Sequence, residues 1–228
     1  MKSTMAVPNT IGVLDLQGGV QEHLEHLQRI GVNGKPVKDA DDFKELVGLI
    51  IPGGESTCLA RLLRIFGLKE MIEREVKRGL KLWGTCAGAI LLAAENLGET
   101  PYFSLIDVTV KRNAFGSQLD SFTCEVNIPR LSPFPIPLTF IRAPKITRVG
   151  LDVEVLLRLD DYIAAAENDT VLVTAFHPEL TPSLCFHRYF ARKCGLAVAL
   201  ETEQDMADVS WTRESWMQAT RKGADRSV

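Results

Sequence analysis

The sequence predicts an α/β fold: a three-layer sandwich with a mostly parallel central sheet, flanking helices and short antiparallel extensions. Strand-like and helix-like segments alternate over the first hundred residues, which is typical of βαβ units with right-handed crossovers. Several apolar runs end in glycine-rich turns. The second half instead contains many short strand-like runs that are punctuated by proline, which favours antiparallel ribbons beside the main sheet.

The first half is predicted to hold three strands that alternate with helices. The run at residues 47–51 is apolar apart from one glycine, as expected for a strand buried on both faces of a parallel sheet. Apolar residues at positions 20, 24, 27 and 30 lie at the spacing of one helix face. The predicted elements are strand 10–16, helix 20–30, strand 47–51, helices 56–66 and 69–78, strand 80–83 and helix 87–96.

The second half is predicted to hold six short strands and a final helix. The last strand is expected to rejoin the main sheet. Residues 1–200 are expected to form a single domain, and the polar tail 201–228 is expected to be disordered or a weakly docked helix. The predicted elements are strands 107–111, 122–128, 138–142, 153–157, 161–165 and 170–176 and helix 184–193.

The composition indicates a folded protein of the reducing cytoplasm. The chain has 228 residues, 46% of them apolar, and a net charge of −3, which argues against disorder. The longest apolar run has eight residues, too short to span a membrane, and the N-terminus lacks the apolar segment of a secretory signal. Five cysteines, an odd number, do not indicate a disulfide framework. Mixed charges give no indication of a nucleic-acid partner.

A candidate nucleophile stands between a predicted strand and a predicted helix. Cys86 lies at the centre of Gly84-Thr85-Cys86-Ala87-Gly88. Glycine two positions before and two after a nucleophile is the pattern of a nucleophile elbow, in which the turn is too tight for side chains. The N-terminus of the following helix favours a thiolate there. A free cysteine is more often a packing residue, but this context favours catalysis. The other four cysteines lack such a context and are interpreted as structural, and no pair has the spacing of zinc ligands.

One of the four histidines has the position of a general base. His177 ends a β-rich run and begins His177-Pro178-Glu179. In an extended chain residues i and i+2 face the same side, so Glu179 could orient the imidazole in a Cys–His–Glu triad. Alone, this tripeptide would more often be a turn with a surface carboxylate. The other histidines, His23, His26 and His187, lie in predicted helices and are expected to have surface or capping roles.

A glycine-rich loop, residues 52–57 (PGGEST), follows a buried strand and opens a helix. Its backbone amides could form an oxyanion hole or bind an anion such as phosphate. The acidic Glu55 and the absence of a nearby lysine argue against phosphate. Glu55 would instead suit the ammonium group of a substrate.

Six stretches together resemble the glutaminase subunits of pyridoxal 5′-phosphate synthase, within the class I (triad) glutamine amidotransferases. They span about 170 residues. The cysteine elbow and the His-x-Glu motif mark the broad class, and the other motifs narrow the resemblance to this subunit. The stretches are GVLDLQG (12–18), IPGGEST (51–57), WGTCAGAILLA (83–93), DVTVKRNAFGSQLDSF (107–122), FIRAP (140–144) and TAFHPELT (174–181).

The resemblance implies that Cys86 attacks the side-chain amide of L-glutamine, that His177 acts as base and acid, and that Glu179 orients it. The oxyanion donors implied are the amides of Gly54 and Ala87. Gln17 lies in a loop that in the family takes part in partner contact and activation. Substrate contacts fall on Gly54, Glu55, Ser56, Arg112, Ile141 and Arg142.

The resemblance also implies how the product is used. The ammonia would pass to a separate TIM-barrel synthase subunit in a hetero-oligomer, and this chain would need no cofactor or metal. Two other readings stay open: a glutaminase subunit serving a different amidotransferase, and a non-catalytic partner module on the same fold. Asp15 departs from the family pattern, because the first strand is usually apolar at that position, and the segment 153–170 is not recognisable beyond its strand character.

Overall fold

A computed structural model of the chain describes residues 9–112, 121–200 and 202. Within them, five α-helices and two short 3₁₀ helices accompany twelve strands. The strands are β1 (Thr10–Leu14), β2 (Asn33–Val37), β3 (Leu46–Ile51), β4 (Lys81–Thr85), β5 (Ala93–Asn96), β6 (Ile106–Lys111), β7 (Ser121–Val126), β8 (Ile136–Ile141), β9 (Lys145–Val149), β10 (Glu154–Leu159), β11 (Tyr162–Glu167) and β12 (Val171–Thr174). The α-helices are α1 (Val20–Arg29), α2 (Ser56–Ile65), α3 (Leu68–Lys77), α4 (Ala87–Leu92) and α5 (Cys185–Lys193), and the 3₁₀ helices cover Ala40–Phe43 and Pro178–Leu180.

Ten strands form one mixed sheet whose centre is parallel. Its order is β2-β1-β3-β4-β12-β11-β9-β6-β5, and β10 pairs with β11 beside this path. Strands β2 to β12 of this order run parallel, whereas β11 pairs antiparallel with β12, β9 and β10. Strands β7 and β8 form a separate antiparallel ribbon. The predicted fold class is therefore confirmed, and the last strand does rejoin the main sheet, beside β4.

The helices cover the two faces of the sheet and bury two separate cores. Helices α1 and α5 pack on one face, and α2, α3 and α4 pack on the other. Neighbouring residues of a central strand alternate between the cores: Ile50 belongs with α1 and α5, whereas Leu49 and Ile51 belong with α2 to α4. This alternation explains why residues 47–51 form an almost unbroken apolar run.

The structure contains a shorter helix than the one predicted over residues 87–96. It ends at Leu92, and Ala93–Asn96 forms strand β5 against β6. The last carbonyls of the helix are taken by groups outside it: the amide of Phe103 donates to Leu91 O (3.0 Å) and that of Leu105 to Leu92 O (2.9 Å). The small alanines are compatible with either structure, so tertiary hydrogen bonds determine the end of the helix.

Besides β5, two further strands were not predicted. Strand β2 contains Gly34 and Pro36, which are depleted in strands, but it lies at the edge of the sheet, where proline is tolerated. Strand β9 joins the antiparallel half between β11 and β6. Asp15 lies just beyond β1, where its carboxylate is 3.0 Å from Nζ of Lys38, so a charge is accommodated there.

Some of the predictions concern residues outside the part of the chain that the structure describes. This applies to positions 113–120 of the motif at 107–122, and to the tail 201–228 apart from residue 202. The division into a domain over 1–200 and a polar tail stays a prediction. Across the described part of the chain, no helix is long and apolar enough to cross a membrane.

Candidate active site

Cys86 occupies a strained turn between β4 and α4. Its φ is +46°, in the region that residues other than glycine rarely adopt. The flanking glycines allow this turn because they touch backbone directly. A Cβ on Gly84 would lie 2.5 Å from the carbonyl carbon of Gly88, and one on Gly88 would lie 2.1 Å from Ile51 O. The spacing of this motif is thus required by the packing of α4 against β3 and β4.

The structure brings Cys86, His177 and Glu179 together. Strands β4 and β12 are parallel neighbours, so the residues that follow them meet at the same edge of the sheet. The amide of Cys86 donates to Thr174 O at 2.8 Å, which joins the two strand ends. Nδ1 of His177 lies 2.8 Å from Oε1 of Glu179. All three residues are buried, with His177 the most accessible at 9%.

The local structure of the His-x-Glu motif differs from the extended chain that was predicted. His177 precedes the 3₁₀ helix Pro178–Leu180, with Pro178 at its first position. Proline is favoured there because its fixed φ suits the helix and its missing N–H costs nothing. Glu179 therefore turns back toward the imidazole from within a helical turn. The predicted pairing is present, although a different backbone conformation produces it.

The two charged partners stabilise each other electrostatically. Burial lowers the pKa of His177, but the Glu179 carboxylate and the facing side chain of Cys86 raise it more, so the pKa lies well above its usual value. Burial likewise acts to raise the pKa of Glu179, but His177, His23 and the hydrogen bond from His177 lower it to about 2. An imidazole that readily holds a proton beside a thiol is suited to accept the proton of that thiol.

A cavity of about 410 Å³ opens in front of Cys86 and His177. Ile90 on α4 also lines it and was not predicted, because one apolar residue among many on a buried helix gives no sequence signal. Ala87 is buried at the start of α4, and Glu179 lies behind the imidazole, so neither lines the cavity. The lining residues are Gln17, Gly54, Glu55, Ser56, Cys86, Ile90, Arg112, Ile141, Arg142 and His177.

Glu55 has a structural role at the mouth of this cavity. It is the N-cap of α2, and its carboxylate accepts hydrogen bonds from the amides of Thr57 (2.9 Å) and Cys58 (2.6 Å). Partial burial opposes ionisation, but these amides and Arg112 hold the pKa of Glu55 below its usual value. The carboxylate is therefore charged and fixed beside Ser56, the first residue of α2.

Two arginines line the cavity from different elements. Arg112, just after β6, donates from Nη1 to both carboxylate oxygens of Glu99, at 2.8 and 2.7 Å, and its Nη2 lies 3.4 Å from Oε1 of Glu55. Arg142, just after β8, has a φ of +43°. Ile141 before it presents its carbonyl 3.9 Å from Sγ of Cys86. The cavity thus offers positive and negative groups near one thiol, as an amino-acid substrate requires.

Gln17 connects the loop after β1 with the glycine-rich loop. In the amide orientation that satisfies both groups, its nitrogen donates to Glu55 O (3.2 Å) and its oxygen accepts from Glu55 N (3.1 Å). Gly54 between them has a φ of +151°, and a Cβ there would lie 2.9 Å from Nε2 of Gln17. Gln17 therefore fixes the loop that carries Gly54.

The expected surface or capping roles of His23, His26 and His187 are wrong. All three side chains are buried, at 0%, 1% and 0% exposure. His23 and His26 share a helical face with Leu27 of α1 and with Ile30 just after it, and this face packs on the sheet. That spacing was the sequence signal for their burial.

The other four cysteines are free thiols outside the cavity. Cys185 and Cys194 lie in or next to α5, and burial raises the pKa of Cys194 to about 12. No group of residues in the described ranges has an arrangement that could hold a metal ion. A larger cavity of about 500 Å³ lies around Glu167. It contains no cysteine, serine or histidine, and Glu167 there already pairs with Lys193 and Arg130.

Known proteins that are similar to this chain identify its family. Residues 13–196 match the SNO glutamine amidotransferase family. The chain belongs to this family. The match covers every residue of the site described above, from Gln17 to Glu179, and it confirms the resemblance drawn from the motifs.

Individual relatives are similar over most of their length. The pyridoxal 5′-phosphate synthase subunit PdxT of Syntrophus aciditrophicus is 61% identical over 209 residues, covering 92% of this chain and 93% of the relative. The same subunit of Clostridium botulinum is 50% identical, covering 80% and 96%. A crystal structure of a glutamine amidotransferase superposes with a TM-score of 0.77 at 42% identity, covering 82% of this chain and 99% of that chain.

Proposed function

We propose that this chain is the glutaminase subunit of a pyridoxal 5′-phosphate synthase. It hydrolyses L-glutamine to L-glutamate and ammonia and passes the ammonia on for synthesis of that cofactor. The observation that carries the proposal is a buried Cys86–His177–Glu179 constellation behind a cavity lined by Arg112 and Arg142. The names of the relatives supply the pathway.

The first half-reaction forms a thioester. His177 takes the proton of Cys86, and the sulfur attacks the side-chain carbonyl carbon of glutamine. The amides of Gly54 and Ala87 donate to the oxygen as it becomes negative, and Ala87 is suited to this as the first residue of α4. His177 then gives its proton to the departing nitrogen, which leaves as ammonia while the thioester forms.

The second half-reaction regenerates the enzyme. His177 takes a proton from water as the oxygen attacks the thioester carbon. The C–S bond breaks, glutamate leaves, and the thiolate and imidazolium are restored. Glu179 keeps the Nδ1 proton of His177 in place throughout, so that Nε2 exchanges protons with sulfur, nitrogen and water.

The α-carboxylate and the α-ammonium group of glutamine need a positive and a negative partner, respectively. We assign its carboxylate to Arg112 and Arg142 and its ammonium to Glu55, with Ser56 and the carbonyl of Ile141 as further polar contacts. An arginine presents a planar fork that fits a carboxylate. Because Glu55 also caps α2, its position is fixed before substrate arrives.

The partner is a separate synthase subunit with a TIM-barrel fold, held in a hetero-oligomer in the cytoplasm. Gln17 couples the contact to the active site, because it holds the backbone of Glu55 next to Gly54. A partner that moves Gln17 therefore moves a predicted oxyanion donor. No cofactor is required by the hydrolysis itself.

Ammonia release tests the proposal. Wild type, Cys86→Ala and the matched control Cys124→Ala are assayed with L-glutamine, with and without the synthase subunit. Cys124 lies on β7 outside the cavity. We expect the wild type and Cys124→Ala to release ammonia at equal rates and Cys86→Ala to release none above background. Equal rates for all three proteins would overturn the catalytic assignment.

The two alternatives predict different results. A glutaminase for another synthase would be active but would not be stimulated by, or co-purify with, a pyridoxal 5′-phosphate synthase subunit. A non-catalytic module would bind a partner and release no ammonia. No described contact favours either of them over the proposal.

A further inference from the structure

Three histidines form a buried row, which we call the histidine row, that begins behind Glu179 of the triad. His23 and His26 come from α1 and His187 from α5, so the histidine row joins two helices on the same face of the sheet. Nδ1 of His23 lies 2.8 Å from Nε2 of His187, and Nδ1 of His26 lies 3.1 Å from Nδ1 of His187. Both distances are those of hydrogen bonds.

His23, at one end of the histidine row, faces the carboxylate of Glu179. Nε2 of His23 lies 3.5 Å from Oε2 of Glu179, while the other oxygen, Oε1, faces His177. Glu179 is 1% exposed and His23 is fully buried. The two carboxylate oxygens of Glu179 therefore face two different imidazoles, that of His177 in the triad and that of His23 in the histidine row.

Burial keeps the three histidines uncharged. Desolvation lowers the pKa of His23 to about 4 and that of His26 to about 3, and it takes the pKa of His187 well below its usual value. Glu179 acts in the opposite direction on His23 and His26, but its effect is smaller. The edge-to-face contacts of Trp83 with His23 and His187 add an apolar wall.

A neutral imidazole has one N–H donor and one bare nitrogen acceptor, which restricts how the protons can be arranged. A bare Nε2 on His23 would oppose the negative oxygen of Glu179. The favourable tautomer therefore carries its proton on Nε2, which leaves Nδ1 to accept from Nε2–H of His187. Nδ1 of His187 is then bare and accepts from Nδ1–H of His26. This arrangement gives each imidazole–imidazole contact one donor and one acceptor, and it directs Nε2–H of His23 toward Glu179.

We propose that His23 and His187 are positioning residues for the hydrolysis: through this fixed order of tautomers they hold Glu179 ionised and oriented toward His177. The inference rests on the proposed function. His23 presents a neutral N–H 3.5 Å from Oε2, and neither atom has a hydrogen-bond partner among the described residues. A buried carboxylate oxygen needs such a donor. His187 donates to Nδ1 of His23, which favours the tautomer of His23 that carries its proton on Nε2. His177 then keeps Nδ1 protonated and leaves Nε2 toward the thiol.

Kinetics on paired variants test this role. In His23→Gln the amide nitrogen replaces the Nε2 donor, whereas His23→Phe keeps the bulk and removes it. We expect His23→Phe and His187→Phe to lower kcat by about tenfold to a hundredfold. KM should change by less than about twofold, because neither residue lines the cavity. His23→Gln should recover most of the lost kcat.

A packing control separates positioning from stability. Cys185→Ala removes a buried sulfur atom from α5, the helix that carries His187, and it should lower the melting temperature without lowering kcat per folded molecule. All variants are measured with the synthase subunit present and normalised to folded protein. If His23→Phe matches the wild type in kcat, or if His23→Gln is no better than His23→Phe, the proposal is overturned.

Imidazole nitrogen chemical shifts of the full-length wild type at pH 7 test the proton order without any assay or variant. We expect a neutral Nε2–H tautomer for His23 and His187 and a neutral Nδ1–H tautomer for His26. A protonated His23, or one with its proton on Nδ1, would overturn the inference. An inactive wild type with the expected tautomers would instead contradict the proposed function and keep the hydrogen-bond order.

Discussion

Gly53 and His177 are in direct contact at the active site: a Cβ on Gly53 would lie 2.3 Å from Cε1 of the imidazole and 3.2 Å from Cβ of Cys86. Substitution by alanine must therefore displace the ring or the loop. We expect Gly53→Ala to lower kcat by about a hundredfold, since a displacement of about 1 Å between reacting groups has this effect. Ammonia release under saturating glutamine measures it.

The control for this variant is Gly31→Ala. Gly31 has a φ of +72°, which disfavours alanine, but a Cβ there meets nothing within 4 Å. It should cost about 1 kcal/mol of stability and leave kcat unchanged. A Gly53→Ala enzyme with normal kcat would show that the imidazole is not confined by this loop.

Glu99 holds the guanidinium of Arg112 through both carboxylate oxygens. If Arg112 binds the substrate carboxylate, Glu99 competes with glutamine for it. We expect Glu99→Gln to lower KM for glutamine about twofold to fivefold at low ionic strength, which corresponds to a partly exposed ion pair. The difference should shrink in high salt, because exposed charges are screened. Steady-state kinetics at two salt concentrations test this, with Glu154→Gln as an exposed control. A raised KM would mean that Glu99 positions Arg112 rather than competing for it.

Glu179 should be indispensable in its ionised form. Glu179→Gln removes the charge that raises the pKa of His177, and it places an amide between two imidazoles with defined donors and acceptors. We expect kcat to fall by at least about tenfold. The acidic limb of the kcat/KM–pH profile should also change, because the imidazole loses its anionic partner. The matched control is Glu167→Gln, another buried carboxylate that bonds Lys193 and lies outside the site. Equal losses in both variants would point to a general effect of buried charge.

The buried histidines make folding sensitive to moderate acid. The pKa values of His23 and His26 in the folded protein are about 4 and about 3, against about 6.5 when unfolded. The unfolded chain therefore binds protons first as the pH falls below 6.5. The contribution of these two histidines should be constant above pH 6.5 and should decline by up to about 1.4 kcal/mol per pH unit for each of them below it. Above pH 6.5 stability should fall for a separate reason, because the contribution of His177 is lost as the pH rises toward its folded pKa of about 10.

The other titrating pair does not interfere between pH 6.5 and 4.5. The raised pKa of His177 contributes stability that is fully present below pH 6.5, and the lowered pKa of Glu179 contributes stability that is lost only below its unfolded value of 4.5. Urea unfolding at several pH values measures the slope in this window. His26→Asn should reduce the slope by about one histidine's share. An unchanged midpoint from pH 7 to pH 5 would contradict the neutral, buried state of these rings.

The triad could be predicted from sequence because its signals are local. Glycines flanking Cys86 report a tight turn, and a strand ending in His-Pro-Glu reports where an imidazole and a carboxylate meet. Parallel neighbours in an α/β sheet then bring such strand ends together. The choice of the strands β4 and β12 as neighbours is a property of the whole fold, and here the family resemblance supplied what the local pattern does not contain.

Features that depend on long-range packing were missed. Nothing near Glu99 in the sequence indicates that it reaches Arg112, and helix α1 was interpreted as carrying polar histidines on its exposed side. The error came from treating histidine as polar by type. Its spacing with Leu27 and Ile30 marked the buried face, and a neutral imidazole can be satisfied there by another imidazole 164 residues away.

The hydrogen bond from the amide of Cys86 to Thr174 O has a consequence for control of the enzyme. It fastens the nucleophile to the strand that carries the base, inside a parallel ladder in which Thr85 faces Thr174. Nucleophile and base therefore keep a constant separation for as long as the sheet is intact. Any change between idle and working states would therefore fall to the loops that carry Gly54 and Arg142, both of which have a positive φ.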